Sequence, residues 1–300
     1  TMICMKYLFT HNRSTRKSAF TLIEIMVASV IMIVLTVLVI QITSEVLKVW
    51  NRSSGKLSAN AEARIALDLL TQDLETAVFR NNEQQWLRVE SPVDVAAIAP
   101  YASQTVALKL FSPALDRDNN SPGDICAIAY RLEFKESYED GPNVYALYRA
   151  LETPENTFNN LMGSQSQGTD SPQSILTKDA VGNTSFWGEV AIVTAGNFLA
   201  SNVVDFKVLI YGETGLADPD PLNDTNADKA PDVDYAFGGS DGINTTLLYA
   251  EIILTVLSDE GIEILERGNL AGTGLDDEDA VIRQHGEVFT RRVNFLARPL

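Results

Sequence analysis

Histidine is nearly missing from this 300-residue chain, with His11 and His285 alone, so neither a histidine-rich zinc site nor a Ser-His-Asp triad can readily be assembled. Cysteine is as scarce: Cys4 and Cys126 allow one bridge at most, which excludes a disulfide-stapled secreted domain. Basic residues are outnumbered, 23 against 40 acidic ones, and the formal charge of -17 argues against a nucleic-acid partner or anionic lipid for the bulk of the chain, because binding phosphates takes clustered Lys and Arg. Helix breakers are absent early on. The first proline is Pro92, and Gly55 is the only glycine before Gly123.

What is present is concentrated at the N-terminus. Lys6, Arg13, Arg16 and Lys17 lie in the first nineteen residues, where no acidic residue occurs. From Phe20 an apolar run, FTLIEIMVASVIMIVLTVLVIQITS, follows, with Glu24 the only charged residue before Glu45. A helix needs about 20 such residues to cross roughly 30 Å of hydrocarbon. The four preceding cations predict a cytoplasmic N-terminus and an exported remainder. The run exceeds the ~7–15 residues of a signal-peptide core, lacks a small-x-small site after it, and contains a carboxylate, all against a cleaved secretory signal. A carboxylate in hydrocarbon costs on the order of 3 kcal/mol near a helix centre, so Glu24 calls for a partner, and no Lys or Arg in the span supplies one.

The stretch KSAFTLIEIMVAS resembles the cleavage and methylation motif of the type IV prepilin and type II secretion pseudopilin superfamily. In that pattern a short basic leader is cut before a Phe and a Glu stands at the fifth mature position; Ala19, Phe20 and Glu24 occupy those places, with Ala19 replacing the more usual Gly. The resemblance covers about residues 13–45. It implies a prepilin peptidase that cuts between Ala19 and Phe20, an N-methylated Phe20, and Glu24 as an assembly residue that pairs with the N-terminal ammonium of a neighbouring pilin or pseudopilin subunit. A carboxylate that reaches up to the cytoplasmic headgroups is the alternative for Glu24.

Freedom from breakers predicts one helix from Phe20 to Phe79, roughly 90 Å at 1.5 Å per residue, with the Asn51–Gly55 run as the sole candidate flexible point. Its second half is amphipathic: Ala63, Leu67, Leu70, Leu74, Ala77 and Val78 keep helical spacing, while Arg64, Asp68, Asp73 and Glu75 take other faces. Beyond Arg80 the texture turns to short β-rich runs. Strands are expected near Val93–Ile98, Thr105–Phe111, Ile125–Phe134, Val144–Leu151, Val190–Thr194, Val203–Tyr211, Leu247–Leu257 and Val288–Leu296, with loops at Glu152–Ser174 and Gly212–Asn244 that no core needs. The expected fold is α+β: a basic leader (1–19), a transmembrane segment (20–44), an amphipathic spine (45–79) and a β-rich, mostly antiparallel exported domain (80–300). The size of that domain points to a minor subunit. Its tail, IILTVLSDEGIEI followed by GEVFTRRVNF, is similar to J-type minor pseudopilins and to the pilin-like Verru_Chthon cassette protein C family, a strand pattern too common to carry residues over.

Two acidic loops are candidate calcium sites, since calcium takes six to eight oxygens. One offers Asp116, Asp118, Asn120 and Asp124; the other offers Asp224, Asn226 and Asp228, with Asp218, Asp220, Asp232 and Asp234 nearby. Neither follows the EF-hand pattern, and Asp and Asn are equally ordinary turn residues. Cys126 lies in an apolar run and reads as a buried thiol, His285 as a surface residue before the last strand. Glu251, Asp259, Glu260 and Glu263 could in principle give a carboxylate pair for glycoside hydrolysis, but so acidic a chain supplies such pairs by chance. The expectation is a single-pass protein of a bacterial inner membrane, with its C-terminal domain periplasmic and no chemistry or cofactor of its own. A membrane-tethered binding module outside any filament is the alternative.

Overall fold

The computed structural model describes residues 21–80, 85–90, 105–117, 120–136, 143–162, 176, 186–213, 221–225, 231, 234–238, 246–267 and 278–296. The chain divides into two compact units, Thr1–Asn51 and Arg52–Leu300. Helix α1, Leu22–Glu75, belongs to both.

In the first unit α1 is apolar and exposed along its length, from Leu22 at 77% to Trp50 at 71%. None of the described residues buries it. This is one helix near the N-terminus long and apolar enough to span a membrane. Ser29, Thr36, Thr43 and Ser44 return their hydroxyls to carbonyls three or four residues back, so the few polar side chains of the run carry their own acceptors.

In the second unit the amphipathic half of α1 buries Ala59, Ala63, Ala66, Leu67, Leu70 and Leu74. Each leucine gains about 2 kcal/mol from that burial. The expected flexible point is instead continuous helix. At Gly55 the helix is closely approached, since a Cβ there would stand 2.2 Å from Asp259 Oδ2 and that carboxylate would have to move. The helix ends at Glu75, four residues before the expected Phe79. The Val78 N–H turns away to the Phe111 carbonyl at 2.8 Å, which joins the departing chain to the sheet.

Among the described residues nine strands follow: β1 Gln85–Glu90, β2 Ala107–Ser112, β3 Cys126–Glu136, β4 Asn143–Leu151, β5 Phe198–Ser201, β6 Val203–Gly212, β7 Tyr235–Gly238, β8 Leu247–Leu257 and β9 Gly286–Asn294. They form a six-stranded sheet, β5-β4-β3-β2-β1-β7, and a three-stranded sheet, β6-β8-β9, whose described pairings are all antiparallel. The six-stranded sheet turns Leu87, Leu110, Ile128 and Tyr130 to one face. On the opposite face Trp86 and Phe111 pack edge-on, and Trp187 covers Phe111 with ring centres 5.5 Å apart. Lys109, on that same face and 3% exposed, is neutralised by Glu90 at 2.7 Å.

The described residues also hold the short helices α2 Pro154–Asn156, which a turn of π-helix extends over Thr157–Met162, α3 Glu189–Ile192, α4 Asp259–Arg267 and α5 Glu278–His285, and a 3-10 turn over Ala195–Asn197. The run expected as a strand at Val190–Thr194 is therefore mostly helical, because the N–H groups of Ala191 and Ile192 both reach back to the Gly188 carbonyl at 3.1 Å. The second expected loop contributes to the core after all. Asn223, Tyr235 and Phe237 are buried within it. The strand expected at Val93–Ile98 lies outside the described residues.

Candidate functional site

Two sites organise α1, one in each unit. At its start Thr21 and Glu24 form a reciprocal cap. The Thr21 N–H donates to Glu24 Oε2 at 2.8 Å, the Thr21 hydroxyl donates to the same oxygen at 3.0 Å, and the Glu24 N–H donates to Thr21 Oγ1 at 3.3 Å. The spacing T-x-x-E is that of a capping box, which satisfies helix N–H groups left without intrahelical acceptors. It also answers the demand that the sequence raised: the carboxylate has two donors from its own chain. Ala19 and Phe20, the expected cleavage pair, lie outside the described residues.

The second site was not foreseen. Asp73, expected on a polar face, is 2% exposed and points into the domain. It accepts from Arg149 Nε at 2.9 Å and Nη2 at 3.3 Å, and from the Tyr130 hydroxyl. Arg149 also donates to Asp116, from Nη1 at 2.6 Å and from the shared Nη2 at 3.0 Å. The planar guanidinium thus bridges α1 to the loop that joins β2 and β3, and Tyr130 braces it from the neighbouring strand. Burial pushes the Tyr130 hydroxyl well above its ordinary range, reinforced by the charge of Asp73, so it stays a proton donor. Burial works to raise the Asp116 carboxyl, but the bonds and charge of Arg149 prevail and hold it below its usual value. A sequence signal existed: Asp73 is three residues from Leu70 and four from Ala77, on the buried stripe, and Arg149 alternates with Tyr145 and Leu147 on β4.

This network bears on the first candidate calcium loop. Both oxygens of Asp116 serve Arg149, and Asp124 Oδ1 accepts from Arg117 Nη2 at 3.3 Å. Asn120 lies in a turn between them, and Asp118 is outside the described residues. In the second loop Asp224 is 6% exposed, while Asn226 and Asp228 are outside the described residues. Among the described residues no three His, Cys, Asp or Glu side chains stand together as a metal site.

Cys126 is buried, and that burial pushes its thiol up to about 11, so it is no nucleophile at neutral pH. His285 ends α5 rather than lying free on the surface. Its side chain is 13% exposed and sits 3.7 Å from Glu260. No family model, curated protein or solved structure matches the chain.

Proposed function

We propose that the chain is a minor pilin- or pseudopilin-like structural subunit. Prepilin peptidase cuts it between Ala19 and Phe20 and methylates Phe20. The product is held in the bacterial inner membrane by the apolar part of α1, with the β-rich domain in the periplasm. Other pilin or pseudopilin subunits assemble with it into a type II secretion or type IV pilus-like filament or tip complex, and it catalyses nothing itself. The observation that carries this reading is a single helix, α1, that is apolar and uncovered over Leu22–Trp50 and buries its later residues in an antiparallel β domain. The prepilin-like residues around Ala19, Phe20 and Glu24 supply the rest.

The experiment is N-terminal and intact-mass analysis of the protein from a host that carries the peptidase. Loss of residues 1–19 with a methylated Phe20 is expected, and recovery of the uncut chain alone would reject the proposal. Glu24→Ala should leave insertion intact but stop co-purification with partner subunits, because alanine relieves a desolvation cost while removing the acceptor for a neighbour's ammonium.

One observation favours a second reading, a membrane-tethered exported binding module that enters no filament. Thr21 already satisfies Glu24 within one chain, so the carboxylate has a role as a helix cap without any neighbour. On that reading Glu24→Ala changes nothing about what co-purifies.

A further inference from the structure

We draw no further inference here: the strongest candidate, the outer edge of β9 in the three-stranded sheet, carries nothing, because Arg292 on it lies opposite Glu251 of β8 and so calls for no outside carboxylate, and nothing in the structure shows what covers that edge.

Discussion

Asp73 of α1 and Arg149 of β4, seventy-six residues apart in sequence, meet at 2.9 Å in the interior of the β-rich unit. Such a pair adds little beyond what well-packed apolar residues would, yet removing one member strands the other. Asp73→Ala should lower the unfolding free energy by about 3 kcal/mol, because Arg149 is 7% exposed and keeps, of its two carboxylates, only the half-exposed Asp116. Joint replacement of Asp73 and Arg149 by Leu should lose less than the single substitution. Denaturant unfolding monitored by tryptophan fluorescence checks both, and a double variant as unstable as the sum of the two singles would show that the residues do not interact.

The same network sets an acid limit. Asp116 has a folded pKa below its unfolded value, so the folded state binds fewer protons than the unfolded one and gains stability from this group above the unfolded carboxylate range, near pH 4. That stability is lost as the pH falls through the folded pKa. Asp205 runs the other way: burial raises its pKa and outweighs Lys207, so its cost is present above the folded value and disappears in acid. Asp116→Asn should therefore flatten the acid limb of a stability-versus-pH curve, and Asp205→Asn should steepen it. Curves that respond identically would refute the assignment.

Gly55 should behave contrary to its helix propensity. Alanine in a helix interior is ordinarily favoured over glycine by about 1 kcal/mol. Here the added methyl would meet the Asp259 carboxylate, which Asn202 holds at 2.7 Å, so the acid must rotate and give up that bond. Gly55→Ala should gain the full propensity term only in an Asp259→Ala background. A gain of equal size in both backgrounds, read from thermal melts, would show that the approach imposes nothing.

The apolar half of α1 was legible in the sequence because membrane-spanning hydropathy is a local property that needs no partner. The long strands were legible for a related reason: in β8 the expected Leu247–Leu257 is the observed span, since alternating β-branched residues mark it without help. What was missed depends on tertiary contact. β7 reads Tyr-Ala-Phe-Gly, too short and too weak in β-formers to be seen without β1 beside it. Helix α4 was hidden by Gly261, which looks like a breaker but is needed because a Cβ there would stand 2.7 Å from the His285 Cβ. Asp73 was assigned to a polar face because charge usually faces water; only the arrival of Arg149 from a distant strand makes its burial affordable.

Asn223 poses the sharpest single-residue test, because its side chain does the work of a strand. Fully buried, it accepts from the Ile210 N–H and donates to the Val208 carbonyl, and so closes the free side of β6. Asn223→Ala should lose about 2 kcal/mol, since two buried backbone groups would be left without partners. Asn223→Asp is nearly identical in shape and should be worse at neutral pH. It keeps an acceptor for Ile210 but sets a carboxylate oxygen against the Val208 carbonyl and buries a charge. Protonation supplies the missing donor, so the Asp variant should recover relative to the Ala variant as the pH falls toward 5, with the sign set by a buried carboxyl whose folded pKa lies above its unfolded one. Parallel denaturant titrations at pH 7 and pH 5 measure this, and an Asp-to-Ala difference that does not change with pH would mean that the side chain is not bonded to β6 in solution.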